Sequence, residues 1–211
     1  LGEYLGILPR LDYSLHTTVK LRGQRTRIRG YGNTHIWVSL TEERKSPMLG
    51  VCPNGTVTVD WGDGTTPDVL TGTSTSISKP VWTPTHNYAA AGDYVITLTV
   101  DGEMGFGGNN AKEQGAYILR HSASEDGRNH AYRKAVRKIE IGNSVTSIGD
   151  YAFGHCYSLA SINIPNGATS IGYGAFYYCY SLTSISIPDG VTNFGNAVFY
   201  HCYNLTSISI P

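Results

Sequence analysis

The chain carries little charge and no excess of either sign. Charged residues are 15% of its 211 residues, and 16 basic side chains balance 16 acidic ones. Without a net field to gather polyanions, nucleic acid is not an expected partner. No apolar run approaches the roughly 18 residues of a membrane-spanning helix, so we expect no direct membrane insertion.

Motifs of catalysis and cofactor binding are also missing. The glycine-rich segment 102–110 has neither G-K-[ST] nor a complete G-x-G-x-x-G, which argues against a phosphate cradle. No Ser, His and Asp set has a nucleophile-elbow context such as G-x-S-x-G. We therefore expect no catalytic residues, no cofactor and no enzyme activity.

The last third of the sequence contains a repeat of 23 residues. The segments KIEIGNSVTSIGDYAFGHCYSL, SINIPNGATSIGYGAFYYCYSL and SISIPDGVTNFGNAVFYHCYNL align with every apolar column in register. A half-repeat precedes them, because Val136, Ile139 and Ile141 stand 23 residues before an L-x-x-I-x-I segment. The array is therefore predicted to begin near Ala131.

Each repeat ends in L-x-x-I-x-I, whose alternation with period 2 predicts a short strand. In the first full repeat, Ile162 and Ile164 are expected to face inward, and Ser161 and Asn163 outward. One coil cannot bury its apolar side chains by itself, so consecutive coils must stack and bury them on each other. The sequence thus predicts a β-solenoid.

These repeats resemble the BspA-like leucine-rich repeats. The family pattern I-G-x-x-A-F-x-x-C-x-x-L-x-x-I-x-I-P is matched almost position for position by residues 148–165 and 171–188, and the third copy differs only in Phe194 and Val198. The resemblance implies a right-handed β-solenoid over residues 131–211. Such repeats occur mainly on secreted and surface proteins of bacteria and some protists, where adhesion is the usual inference.

Residues 13–101 carry alternating strand patterns separated by Gly, Pro and Asn clusters, which favours a β-sandwich. The strand segments are HTTVKL, TRIRG, HIWVSL, TVTVDW and YVITLTV. The V-D-W-G-D-G turn at 59–64, H-N-Y at 86–88 and the A-x-G-x-Y run ending at Tyr94 resemble the polycystic-kidney-disease (PKD) domain. That resemblance implies an immunoglobulin-like extracellular spacer or interaction module without a catalytic centre.

These patterns divide a mostly β chain into four parts. They are an N-terminal tail (1–12), a PKD-like β-sandwich (13–101), a linker and solenoid-entry segment (102–130) and the BspA-like repeats (131–211). Segment 102–110 is expected to be a linker, 122–129 a loop, and 116–120 a strand that joins or caps the solenoid. The strand order before residue 57 is left open.

Three of the four cysteines recur every 23 residues: Cys156, Cys179 and Cys202. Zinc sites need spacings such as C-x2-C that turn ligands toward one point, whereas this period lays the thiols in a row along the core. We expect buried free thiols that act as small hydrophobes, and no metal site. Disulfides between coils are disfavoured, since parallel side chains keep their Cβ atoms about 5 Å apart.

Asp60 and Asp63 could be read as the carboxylate pair of a glycoside hydrolase. Their place in the PKD-like turn favours a structural role instead. Weak calcium binding is the remaining alternative, although no D-x-[DN]-x-[DN]-G loop is present.

Two surfaces of the repeats are candidate binding sites. The first is a ladder of aromatic rings expected on the outer side, since such rings suit sugars and protein surfaces: Tyr157, Tyr180 and Tyr203, with Tyr177, Tyr178 and Tyr200 nearby. The second is the polar strand face, because solenoids often bind ligands on the face made by their strands: Ser161, Asn163, Ser184, Ser186, Ser207 and Ser209. Stacking of like on like would also produce the ladder without any ligand.

We expect a secreted or cell-surface bacterial protein that binds a host or neighbouring-cell protein or glycan through the repeat surface. A purely structural spacer and an accessory part of a polysaccharide-degrading enzyme are the alternatives. Because the sequence begins at Leu1 and stops at the end of a repeat, we also expect a fragment of a longer chain, from which a signal peptide could have been removed. An uncapped solenoid end would make end-to-end contact with a neighbouring molecule.

Overall fold

The computed structural model describes residues 32–73, 80–107, 118–120 and 132–210. These ranges contain no α-helix, only strands and one turn of 3-10 helix at Arg133–Ala135. The mostly β class is thus confirmed for the described residues, while the tail 1–12 and the predicted strands HTTVKL and TRIRG lie outside them. The strands are β1 (Thr34–Leu40), β2 (Met48–Asp60), β3 (Asp68–Thr73), β4 (Val81–Trp82), β5 (Gly92–Phe106), β6 (Leu119–Arg120), β7 (Val136–Glu140), β8 (Val145–Ile148), β9 (Ser161–Asn163), β10 (Ser170–Ile171), β11 (Ser184–Ser186), β12 (Asn193–Phe194) and β13 (Ser207–Ser209).

Two long antiparallel strands, β2 and β5, form the centre of the first part of the structure. On one side β1 pairs with β5, and on the other β3 pairs with β2. The predicted strands HIWVSL, TVTVDW and YVITLTV are confirmed as β1, the end of β2 and the first half of β5. Sequence patterns missed β3, β4 and the first half of β2.

Side chains alternate between the core and the solvent where β2 runs into the V-D-W turn. Val57, Val59 and Trp61 are fully buried, whereas Asp60 between them is exposed. The Trp61 ring stacks on the His86 ring at 4.5 Å and receives the edge of Tyr88. This aromatic cluster forms the core at the turn end of the first part.

The repeat region is a β-solenoid of about three turns, in which each coil contributes two short strands. On one side β7 pairs with β9, aligning Ile139 with Ile162, and β11 pairs with β13. On the other side β8, β10 and β12 pair in parallel and align Ile148 with Ile171 and Phe194. The predicted stacking of 23-residue coils is therefore confirmed.

Close approach of the coils explains the column of glycines after these strands. A Cβ at Gly172 would lie 2.5 Å from the backbone nitrogen of Asp150, and one at Gly195 would lie 2.5 Å from the backbone of Tyr173. No side chain fits at such distances. Glycine is required here for contact between coils.

The predicted linker differs from the structure over residues 102–106, which are the end of β5; residues 108–110 lie outside the described part. There Gly105 and Phe106 pair in parallel with β8, and the Phe106 carbonyl accepts a hydrogen bond from the Gly149 amide at 2.6 Å. The same bond joins Ile148 to Gly172 one coil later, at 2.7 Å. Phe106 thus occupies, before the first coil, the position that Ile148 and Ile171 occupy in the coils that follow.

The other side of the solenoid continues into the first part as well, because β1 pairs antiparallel with β7. One hydrophobic cluster spans both parts, from Ile36 through Phe106 to Val198. The strand expected at 116–120 is observed as the shorter β6, which pairs with β2. Beside it, the Ile118 amide donates to the Ala152 carbonyl at 3.2 Å, so this segment covers part of the first coil. The first part of the chain therefore caps the solenoid, an end that would otherwise expose apolar side chains.

Candidate binding surfaces

The predicted ladder is observed as a tyrosine stack of Tyr157, Tyr180 and Tyr203. Neighbouring ring centroids lie 5.0 and 5.5 Å apart, and the planes differ by only 16° and 14°. The 23-residue period brings each ring over the ring of the coil before it. Lys134 occupies the same position one period earlier, and its ammonium lies 5.5 Å from the Tyr157 ring centroid.

A second stack, His155, Tyr178 and His201, runs beside the first, with centroid distances of 5.0 and 4.5 Å. All three residues have φ near +60°, an unusual conformation for residues other than glycine. It orients His155 so that its Nδ1 lies 3.0 Å from the Tyr157 hydroxyl, and His201 bonds Tyr203 in the same way. The coil-by-coil repetition of this strained turn fixes both stacks.

Tyr177 and Tyr200 form a third stack, at 5.1 Å. Burial, together with the neighbouring Tyr178 hydroxyl, raises the pKa of Tyr177 to about 12. Only the rings of the last described coil are strongly exposed, with 71% for Tyr203 and 50% for Tyr200.

Coaxial stacking limits what these stacks can bind. A sugar ring stacks on the face of an aromatic ring, and here each inner ring face is covered by the ring of the next coil. The stacks therefore present ring edges and hydroxyl groups to a partner, and free faces only at their last members. Coil-to-coil cohesion is the contribution that this geometry supports directly.

The polar strand face is observed as expected. In β9 and β11 the outward residues Ser161, Asn163, Ser184 and Ser186 are exposed, while Ile162 and Ile185 between them are buried. Ser207 and Ser209 continue the two rows in β13, opposite Ser184 and Ser186. A groove of about 540 Å³ lies at the end of these strands, lined by Ser186, Ser209 and residues of the following turn such as Asp189.

Asn163 also has a structural role in this face. Its amide oxygen accepts a hydrogen bond from the Ile141 amide at 2.8 Å, and its amide nitrogen donates to the Ile141 carbonyl at 3.1 Å. This pair fastens β9 to the coil before it.

The two rows extend beyond the three full repeats, which the sequence interpretation missed. Lys138 lies opposite Ser161 and Glu140 opposite Asn163 in the β7–β9 pair. The signal was present, because these residues stand 23 positions before Ser161 and Asn163 in the half-repeat. On the next strand Trp37 lies opposite Lys138 and His35 opposite Glu140. No local sequence pattern indicates that β1 pairs with β7. The extension of the rows to Trp37 and His35 could therefore not be predicted from the sequence.

The cysteines are buried free thiols, as predicted, with Cys202 half-buried in the last coil. Cys179 donates to the Phe153 carbonyl at 3.2 Å and Cys202 to the Phe176 carbonyl at 3.1 Å. Burial raises the pKa of Cys156 to about 12 and that of Cys202 to about 11. Cys52 is also a buried free thiol and donates to the Gly107 carbonyl at 3.3 Å.

Asp60 and Asp63 hold the turn together. Asp60 accepts from the Gly62 amide at 2.9 Å, and Asp63 accepts from Thr65 and lies 2.9 Å from His86 Nε2. Although burial raises the pKa of Asp63, these hydrogen bonds hold it below its usual value. Within the described ranges, no group of three or more His, Cys, Asp or Glu side chains is arranged to hold a metal ion.

The last described coil leaves large apolar side chains open. Ile210 is 70% exposed, Phe194 47% and Ile208 44%. Their counterparts one coil earlier, Ile187, Ile171 and Ile185, are buried by the coil that follows.

None of the described residues forms a helix that is both long and apolar enough to cross a bilayer.

The fold and its surfaces define a leucine-rich-repeat β-solenoid with an N-terminal β cap. Residues 127–211 match the family model of the BspA type leucine rich repeat region, in six copies. The repeat segment is therefore similar to that family, as its motifs indicated. Neither the curated proteins nor the solved structures give a match.

Proposed function

We propose that this protein is a non-catalytic adhesion or ligand-binding protein that acts outside the cell, with the repeat region as its binding surface. The match of residues 127–211 to BspA type repeats supports this class, because adhesion is the usual inference for such repeats. The expected partner is a protein or glycan of a host or neighbouring cell.

The observation that carries the proposal is the polar strand face. Its outward side chains are small hydroxyl and amide groups on short strands held in register by hydrogen bonds between coils. Such a face is rich in donors and acceptors on strands that are already ordered, so little conformational entropy is lost when a partner binds. The aromatic stacks are the second candidate surface, through their hydroxyl edges and the exposed Tyr203 and Tyr200 rings.

An array of host-matrix proteins and glycans tests the proposal. The double variant Ser184→Glu/Ser186→Glu should lose more than tenfold in affinity for a partner that the wild type binds. The control is Thr169→Glu/Thr192→Glu, which adds the same charges to exposed residues next to β10 and β12. Its urea midpoint must match that of the wild type, because both threonine hydroxyls donate to carbonyls of the preceding coil. Equal loss in both double variants, or no bound partner for the wild type, would contradict the proposal.

A triple change of Tyr157, Tyr180 and Tyr203 to Phe tests the aromatic stacks separately. Phenylalanine preserves stacking and removes only the hydroxyl groups. Unchanged affinity would exclude those hydroxyls from the binding surface, and a large loss would move the surface from the strand face to the stacks.

We also infer that residues 34–101 belong to a PKD-like module that serves as spacer and cap. The cluster of Trp61, His86 and Tyr88 behind the D-W-G-D-G turn supports this inference. Solution of the fold by NMR or crystallography, with a strand order unlike the PKD domain, would refute it.

The second candidate function is a structural spacer or accessory module of a larger surface protein or polysaccharide-degrading enzyme. The covered ring faces of the stacks favour it, because they already have partners within the solenoid. The exposed Phe194, Ile208 and Ile210 would then make end-to-end contact with a neighbouring molecule or segment. A chain that binds nothing in the array yet self-associates through these residues would favour this alternative.

A further inference from the structure

The two polar rows of the strand face do not stop at the repeats. Strand registers carry one row from Ser161 to Lys138 and Trp37, and the other from Asn163 to Glu140 and His35. Side chains paired across neighbouring strands share one face of the sheet. The composite face, defined as these residues with the outward residues of β11 and β13, therefore crosses from the cap into the solenoid.

Trp37 is the aromatic side chain at the cap end of this face. It alternates with buried Ile36 and Val38 in β1, which turns its half-buried ring outward. The Lys138 ammonium lies 4.5 Å from the ring centroid, and the His35 ring is 5.9 Å away at a tilt of 57°. The site thus combines an indole with hydrogen-bonding groups on two sides.

The other two tryptophans lie away from the polar strand face. Trp61 is fully buried. The Trp82 ring lies against Gly50, where an added Cβ would come within 2.6 Å of it, and Arg120 covers it at 3.5 Å from the centroid. Trp37 is therefore the tryptophan that lies on the composite face, with the Lys138 ammonium over one side of its ring.

Charge on the composite face is compensated locally. Lys138 and Glu140 form an ion pair with a nitrogen–oxygen distance of 2.6 Å, and both side chains are almost half exposed. Apart from Trp37 and His35, the remaining members of the rows are neutral Ser and Asn residues. A polyanionic partner would find no uncompensated cation, whereas an uncharged partner rich in hydroxyl groups would find donors and acceptors along both rows.

The length of the face fits an extended chain rather than a small molecule. Five strands from β1 to β13, about 4.8 Å apart, give a row of roughly 19 Å. A protein partner usually needs a central cluster of buried aromatic or arginine anchors. This face offers the Trp37 and His35 rings at one end, then the Lys138–Glu140 ion pair, and small polar groups over the rest.

We propose that the composite face binds an uncharged polysaccharide, with one sugar packed against Trp37 and the following sugars hydrogen-bonded along the rows toward Ser207 and Ser209. This inference rests on the proposed binding function and names its ligand class. The aromatic residue that contacts the sugar is then Trp37 of the cap and not a ring of the tyrosine stacks.

Affinity electrophoresis tests the proposal with the full chain. Gels contain soluble uncharged polysaccharides (mixed-linkage β-glucan, xylan, galactomannan or dextran), and parallel gels contain polygalacturonate or a sulfated galactan. We expect retardation by at least one uncharged polysaccharide and not by the charged ones. Trp37→Ala should weaken that affinity more than tenfold, and Trp37→Phe should weaken it less.

Tyr173→Ala is the matched control, because Tyr173 is 40% exposed on another part of the coils and should bind as the wild type does. A urea midpoint like that of the wild type shows that Trp37→Ala is folded. Ser184→Glu tests the solenoid part of the row, in β11, without changing Trp37. Retardation by charged polysaccharides alone, or an unchanged affinity in Trp37→Ala, overturns the inference. No retardation in any gel also overturns it, and the protein and glycan array then decides separately whether the broader binding function stands.

Discussion

Replacing Phe106 with alanine tests whether the cap and the solenoid unfold as one unit. Phe106 is fully buried at the end of β5, and its ring lies 5.4 Å from that of Phe153 in the first coil. Its backbone pairs with β8, so the side chain fills the junction of the two parts. If the cap and the coils share one core, a cavity at this point weakens both.

Phe→Ala changes in cores cost about 3–5 kcal/mol. With a urea dependence of about 2 kcal/mol per M, the unfolding midpoint should fall by about 1.5–2.5 M. Val69→Ala is the matched control, since Val69 is 62% exposed and its truncation should change the free energy of unfolding by less than about 0.5 kcal/mol.

Two probes report on the two parts separately. All three tryptophans lie in the cap, so fluorescence follows residues 34–106. Labelling of Cys156 and Cys179, resolved by peptide mass spectrometry, follows the solenoid because both thiols are fully buried. We expect both transitions to shift together in Phe106→Ala. A shift in one transition with the other unchanged would refute the shared core.

Three further predictions follow from the repeats and the turn. Gly172→Ala should lower the free energy of unfolding by about 1–3 kcal/mol, because its Cβ would meet backbone atoms of the preceding coil at 2.5 Å. Gly32→Ala is the control and should be neutral, since a Cβ there would have nothing within 4 Å. Equal urea midpoints for the two variants would contradict the close-approach argument. Burial raises the pKa of Cys156 and Cys52 above 9, so the protonated thiols stabilise the folded state below that pH. This contribution to the free energy of unfolding should decline as pH rises through about 11–12. For the same reason, alkylation of the two thiols in the folded protein at pH 8.5 should be slow. The pKa of Asp63 is held low by Thr65 and His86, so its contribution to the stability of the folded state is present above pH 3.8 and lost below it. Asp63→Asn should therefore lower the thermal midpoint more at pH 7 than at pH 3. An equal loss at both pH values would show that the carboxylate charge does not provide the stabilisation.

The solenoid could be predicted from sequence because its contacts recur at a fixed spacing. Each apolar column maps directly onto a column of stacked side chains, so Ile162 and Ile185 were placed in the core and Ser161 and Ser184 outside without knowledge of any long-range pairing. The cysteine row followed from the same period, and so did the tyrosine stack.

Contacts between distant segments were not predictable in this way. The glycine-rich run after residue 101 has linker composition, yet Phe106 continues β5 because its side chain and carbonyl complete the first coil. Trp37 entered the candidate site only through the β1–β7 register, which joins residues about a hundred positions apart. Covered ring faces are likewise a property of the observed stacking angles and not of the tyrosine spacing.

Hydroxyl-radical footprinting of the protein with a partner identified in the array tests the central claim most directly. The account predicts protection of residues on β9, β11 and β13, together with Trp37, and unchanged reactivity of Tyr173. Protection confined to the tyrosine stacks or to the open end near Ile210, with the strand face as reactive as in the free protein, would contradict it.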